Sequence, residues 1–288
     1  MAPRAVVTAA TGGIGLETAK GLADAGYAVT VIGRTPQRGD NAVAAINARG
    51  GEPARFLQAD LASLAAVRAL GERLADEGPL DVLVNNVGAM FPDHTHLDGI
   101  EASFVVNHLS PYLLTELLLP VIKHRVVNVT SGAVVVAKKV FDHVEPPGGY
   151  YGFHWYGRAK LANLAYTLDL ATRATTIGVL AADPGGADTD MTDGTLRTPK
   201  IVAPPLRLLW PLVRRTFEHA TSRPAATAAR SSITAATDPT LTSGTVIGPK
   251  ALPVQPHRTA RDPRIQQAVR HLSQTHAPLR HVPDGIST

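Results

Sequence analysis

The chain of 288 residues contains no cysteine. Disulfides, thiolate zinc sites and cysteine nucleophiles are therefore excluded. No apolar run reaches the roughly 18 residues of a membrane span. The N-terminus carries one Arg and then a short β-rich run into a glycine loop, which lacks the layout of a secretory signal. No internal repeat appears, and no linker divides the chain. Charged residues are few, 18% against 44% hydrophobic, a balance too apolar for a disordered chain and ample for a core. A soluble, cytoplasmic globule is expected.

The formal charge of +4 is unevenly placed. Residues 1–192 hold 15 Lys and Arg against 19 Asp and Glu, whereas residues 193–288 hold 13 against 5, so the basic excess is confined to the last third. Its arginines are scattered among Pro, Ala and Thr without interleaved aromatics or a nucleic-acid motif. A solvated basic surface around a substrate entrance is the reading, and no nucleic-acid partner is expected.

Strand-like and helix-like segments alternate. Strands are expected at Arg4–Thr8, Ala28–Ile32, Arg55–Leu57, Leu80–Val84, Arg125–Val129 and Thr176–Ala182. Helices are expected at Ile14–Ala25, Asn41–Ala48, Leu64–Leu74, Glu101–Leu119 and Tyr156–Arg173. Strands separated by helices of this length form βαβ crossovers, hence a doubly wound parallel sheet in three αβα layers. That domain accounts for residues 1 to about 190, and the rest decorates it.

Thr8-Ala9-Ala10-Thr11-Gly12-Gly13-Ile14-Gly15 lies between the first strand and the first helix. Glycine there removes the Cβ that would block a close approach, and the helix N-terminus offers free N–H groups to a pyrophosphate. Nineteen residues after Gly15 the second strand ends at Arg34, with Arg38 a turn further and no acid before Asp40. A guanidinium fits a 2′-phosphate, where an acid would instead bind ribose hydroxyls, so NADP(H) is favoured over NAD(H). Tyr156 and Lys160 share one helix face at i and i+4, an arrangement in which the cation lowers the phenol pKa toward the working range. Ser131 follows a strand at its C-terminal end, where open α/β sheets bind ligands.

Taken together these residues resemble the short-chain dehydrogenase/reductase family, and the likeness covers most of the chain. The glycine loop resembles T-G-x-x-x-G-x-G, and Asp60-Leu61 resembles the adenine-contacting acid and its neighbour. Asn85-Asn86-Val87-Gly88 resembles N-N-A-G, and Asn107 in Val106-Asn107-His108 resembles the helix Asn. Asn128-Val129-Thr130-Ser131 ends in the serine, and Tyr156 with Lys160 matches Y-x-x-x-K. Pro184-Gly185 followed by Thr189 resembles the nicotinamide clasp. The departures are Ala9 in place of the first loop glycine, Val87 in N-N-A-G, and 25 residues from Ser131 to Tyr156. That long interval, which holds Pro146-Pro147-Gly148-Gly149, several aromatics and His154, resembles the retinol-dehydrogenase-like branch. So does Gly244–Pro249 with the Arg-rich helix after it.

The resemblance implies a single Rossmann-type domain over 1–288, with a substrate lid at 190–225 and a C-terminal extension at 250–288. It implies an NADP(H)-dependent enzyme whose catalytic set is Asn107, Ser131, Tyr156 and Lys160. In that set Tyr156 gives a proton to a carbonyl, Ser131 orients the oxygen, Lys160 holds the nicotinamide ribose, and Asn107 positions a water. The cofactor contacts expected are Thr8, Thr11, Gly12, Gly13, Ile14, Gly15, Arg34, Arg38, Asp60, Leu61, Asn86, Val87, Gly88, Tyr156, Lys160, Pro184, Gly185 and Thr189.

The substrate implied is a bulky apolar ketone. Composition rich in Ala, Arg, Gly and Pro resembles that of bacteria whose relatives of this type reduce polyketide ketones, which suggests secondary metabolism and antibiotic biosynthesis. Oxidation of a retinol- or steroid-like alcohol and a non-catalytic NADPH-binding regulator are the alternatives. The apolar Ile201–Val213 fits a cap over such a substrate, a peripheral membrane or partner contact, or plain core packing. Monomer and homo-oligomer both stay open. No metal is expected among the 11 histidines: His94 and His96 flank Thr95 in a loop, and His271, His276 and His281 are five apart.

Overall fold

In the computed structural model, residues 2–187, 198–207, 210–211, 214–215 and 223–279 are described. Strands β1 (Arg4–Val7), β2 (Ala28–Gly33), β3 (Arg55–Gln58) and β4 (Leu80–Asn85) alternate with helices α1 (Gly13–Asp24), α2 (Pro36–Asn47) and α3 (Leu64–Asp76). A short hairpin of β5 (His96–Leu97) and β6 (Ile100–Glu101) leads into α4 (Ala102–Phe104), a π-helical turn at Val105–Leu109 and α5 (Ser110–Leu118). Strand β7 (Ile122–Val129), helix α6 (Gly152–Arg173) and strand β8 (Gly178–Ala182) complete the central part. Helices α7 (Pro204–Arg207) and α8 (Ala225–Thr237) follow, then β9 (Val246–Ile247), β10 (Pro253–Val254) and α9 (Pro263–His276).

The main sheet has eight strands in the order β10-β9-β8-β7-β4-β1-β2-β3. It is parallel except for β10, which runs against β9. Each face buries an apolar layer, as a parallel sheet must. One layer gathers Leu22, Ala42, Ile46 and Ala235 from α1, α2 and α8. The other gathers Leu70, Leu113, Leu161 and Leu272 from α3, α5, α6 and α9. This is the doubly wound single domain that the strand–helix alternation implied.

Several boundaries differ from expectation, each for a packing reason. Helix α2 begins at Pro36, five residues before Asn41, because Gly39 lies against the Phe56 ring (a Cβ there would come to 2.4 Å) and is no breaker. Helix α6 begins four residues before Tyr156, at Gly152, where a Cβ would lie 2.3 Å from the Phe91 carbonyl. The expected helix from Glu101 to Leu119 is interrupted. Glu101 closes the hairpin and caps α4, its carboxylate accepting from the Ser103 and Phe104 N–H groups at 2.8 and 2.9 Å. The π-helical turn then places one extra residue in the helix at Asn107, a device often found at functional sites.

Helix α9 is docked onto α6. Arg270 and Arg173 both pair with the buried Asp169, and the Ser273 hydroxyl meets His108 Nε2 at 2.7 Å. Arg223 donates to the Pro249 carbonyl at 3.0 Å, and Arg207 to that of Val202 at 3.1 Å. Part of the basic excess of the last third thus anchors the chain internally. Among the described residues no helix is long and apolar enough to cross a membrane.

Candidate active site

A cavity of about 740 Å³ opens where the C-terminal ends of the parallel strands meet, within the range of small-molecule sites. Its lining comes in order from the loops after β1 (Ala9, Thr11–Gly15), β2 (Arg34, Arg38), β3 (Ala59–Ala62), β4 (Asn86–Phe91), β7 (Thr130–Ala133) and β8 (Pro184–Ala187). Phe153, Tyr156 and Lys160 of α6 face the same space.

At one end the fit is set by missing side chains. A Cβ on Gly15 would lie 2.4 Å from the Ala9 carbonyl and 2.5 Å from Asn86 Nδ2, so only glycine lets the loop fold over the helix start. Gly13 has φ +51. Ala9, where the family pattern has glycine, adopts φ +50, so the loop keeps its left-handed turn and the alanine bears the strain. Arg38 lies over Gly12, with Nη2 2.8 Å from the place a Cβ would occupy. The concave backbone, helix N-terminus and two guanidinium-bearing residues fit a phosphorylated dinucleotide. Thr8 does not reach the cavity. It is buried, and its hydroxyl accepts from the Asn86 and Val87 N–H groups at 2.9 and 3.2 Å, tying β1 to the loop after β4.

The other end gathers the reactive side chains. Burial pushes the Tyr156 hydroxyl up to about 12, opposed by a hydrogen bond with Ser131 and reinforced by the nearby Asp183 carboxylate. Lys160 Nζ donates to the Val129 and Val87 carbonyls at 3.0 and 3.1 Å, and burial pulls it down to about 7. It sits 6.0 Å from the Tyr156 ring. The expected lowering of the phenol by this cation is therefore reversed: desolvation acts on both groups, and Tyr156 is protonated at neutral pH.

Asn107 lies behind the cavity wall. Its amide donates to the Ala89 and Ser103 carbonyls at 2.7 and 2.9 Å and accepts from the Ala89 N–H at 3.1 Å, fixing the loop that carries Gly88 and Met90. Asp60, Leu61, Pro184 and Gly185 stand on the cavity wall. Thr189 lies outside the described residues, as does much of the expected lid and the end of the C-terminal extension. Of the apolar stretch, Ile201 and Val202 are buried in a cluster with Met90, Ala133 and Tyr156, flanked by Phe153 and Trp210.

Two residues escaped the sequence reading. Asp183 accepts from the N–H groups of Gly185 and Gly132, joining the loop after β8 to that after β7, and burial raises its pKa. Arg158, one position from Lys160's neighbour in the Y-x-x-x-K run, is 1% exposed. Its guanidinium donates to the carbonyls of Val140, His143 and Val144 at 2.8–2.9 Å and packs between the Phe104 and Phe141 rings. The long interval before α6 is thereby held on one side chain. Only its position inside the motif distinguished it beforehand.

A family model for the short chain dehydrogenases matches residues 3–200. The chain belongs to that family of oxidoreductases. It is similar to retinol dehydrogenase 12 of Mus musculus, 39% identical over 183 residues that make up 61% of this chain and 58% of that protein. It is also similar to polyprenol dehydrogenase of Mus musculus, 37% identical over 202 residues, 65% of this chain and 60% of that protein. The match thus spans about three fifths of these relatives' lengths. Among solved structures, a short chain dehydrogenase from Burkholderia cenocepacia in complex with NADP aligns with TM-score 0.66 at 27% identity, covering 85% of this chain and 95% of that one. These relatives agree with the retinol-dehydrogenase-like branch to which the motifs pointed.

Proposed function

We propose that the protein reduces a ketone on a bulky apolar substrate, using NADPH. The observation that carries this reading is the cavity, which joins the glycine loop, Arg34 and Arg38 at one end to Ser131, Tyr156 and Lys160 at the other. Arg34 and Arg38 supply the charge a 2′-phosphate requires, and the similar Burkholderia structure was solved with NADP. When bound, the nicotinamide supplies the hydride. Ser131 orients the carbonyl oxygen, and the protonated Tyr156 delivers its hydroxyl proton to that oxygen. Lys160 would hold the nicotinamide ribose, and Asn107, its amide bonded to Ala89 and Ser103, would act by fixing the loop that carries Gly88. Met90, Phe91, Leu97 and Phe153 give the substrate side an apolar wall, against which Ile201 and Val202 are buried beside Met90 and Tyr156.

A side-chain ketone of an aromatic polyketide fits this substrate class. Oxidation of a long apolar alcohol is the second reading, favoured by the names of the mouse relatives. The two readings use the same Tyr156, Ser131 and Lys160 and differ in which direction turns over. The test is NADPH oxidation with a panel of apolar ketones, run beside NADP reduction with the matching alcohols. Tyr156→Phe is expected to keep NADPH binding and lose turnover by about a thousandfold or more. A Phe variant of near-normal kcat overturns the reading.

A further inference from the structure

We propose that His94, His96 and Glu145 form a binding site for a divalent transition-metal ion of the zinc class, at the rim of the cavity. The sequence showed two histidines in a loop without a carboxylate partner. The fold supplies one from 49 residues away. His96 Nε2 lies 3.0 Å from Glu145 Oε1, and His94 Nε2 lies 3.3 Å from Oε2. All three ligand atoms fall within 4.8 Å of one another, the one such group of three among the described residues. A tetrahedral zinc about 2.0–2.1 Å from each ligand holds its ligand atoms about 3.3 Å apart, and the single oxygen Oε2 of Glu145 lies 3.3 Å from His94 Nε2 and 3.2 Å from His96 Nε2, so both imidazole–carboxylate edges are already at ligand spacing. Two imidazoles and a carboxylate are a borderline N/O donor set, suited to zinc and poorly suited to magnesium or calcium.

The ligands are also oriented in advance. The His94 ring stacks on Tyr150 at 5.0 Å with 17° between planes and meets Trp155 at 5.5 Å. Tyr150 is itself tied down, its hydroxyl donating to the Phe91 carbonyl at 2.9 Å. His96 belongs to the β5–β6 hairpin, whose pairing fixes its backbone. All three side chains are partly exposed, at 26–48%, so an ion reaches them from solvent and the fourth position is left to water. An ion here joins the segment after β4, whose Phe91 and Leu97 line the cavity, to the stretch held by Arg158, two segments otherwise linked covalently only through the intervening helices. The site is a clip on that rim, and it takes no part in the transfer of hydride or proton.

The test is titration of the full, metal-stripped chain with Zn²⁺, read by competition with a chromogenic chelator and by the thermal midpoint. One equivalent is expected to bind with a Kd of about 10 μM or tighter, raising the midpoint. His96→Ala and Glu145→Gln should each weaken binding about tenfold or more, while the exposed His271→Ala leaves it unchanged. With chelator present, the near-isosteric Glu145→Gln should melt like the wild type, separating lost ligation from lost folding. Weaker binding by the wild type, equal binding by the His96 and Glu145 variants, or an equal midpoint shift with Mg²⁺ overturns the proposal.

Discussion

Around the glycine loop, shape is made by backbone and by what side chains leave out, whereas the stretch 137–151, which stands beside the cavity lining, is held in place by long polar side chains. On the first side Gly15 and Gly12 bring main chain within contact distance of Ala9, Asn86 and Arg38. On the second, Arg158 holds three carbonyls, Tyr150 holds a fourth, and Lys138 reaches the Pro146 and Pro147 carbonyls. A backbone-built pocket suits a ligand of fixed shape. A stretch held by long polar side chains can be remade by a few substitutions.

The sharpest way to break this contrast is Gly15→Val. The added carbons meet a carbonyl that cannot move aside, and NADPH affinity should fall about a hundredfold or more, measured by fluorescence titration. An affinity within a few-fold of wild type contradicts the backbone account. Arg158→Met should act on the other side. It leaves three carbonyls without a donor and the buried Glu101 without its nearby cation, and should cost about 3 kcal/mol by urea unfolding. NADPH affinity should stay within about twofold, and amide exchange should quicken first at 137–151. If exchange quickens equally in the glycine loop, the two sides are one unit.

Acid should weaken the α5–α6–α9 face before the glycine loop. Burial lowers His108 to about 3, well below its ordinary 6.5. The unfolded chain therefore binds the extra proton between those values, so stability is present above about pH 6.5 and is lost as pH falls. The slope is about 1.4 kcal/mol per pH unit. Urea midpoints at pH 7 and 5 check this, and His108→Gln should flatten the difference. The smallest effect is expected at Ala9. Ala9→Gly removes left-handed strain but loosens the unfolded chain, for a net gain below about 1 kcal/mol in thermal denaturation. A loss of stability would show that the methyl group has found useful packing.

The same contrast decides what could be read from the sequence. Strands β1, β2, β4 and β7 announce themselves as apolar runs, and the glycine loop by its place between strand and helix. These are local patterns. Asp183, Arg158 and Glu145 act on partners far along the chain or across two loops, and nothing in their neighbours marks them. Helices α2 and α6 start before Asn41 and Tyr156, and Gly39 and Gly152 in those first turns fit close contacts, with the Phe56 ring and the Phe91 carbonyl, that the letter G alone does not show. The π-helical turn at Val105–Leu109 is invisible to a 3.6-residue period because it adds one residue without changing composition.

The three carbonyls held by Arg158 also set an order of events. Residues 140–144 leave the ribosome before the helix that carries their anchor, and that helix ends at Arg173. At roughly 5–20 residues per second, the wait is about 2–7 seconds. During it the Val140, His143 and Val144 carbonyls lack the donor that holds them in the folded chain. An arginine that looks like a structural detail thus times when that stretch can take its final course.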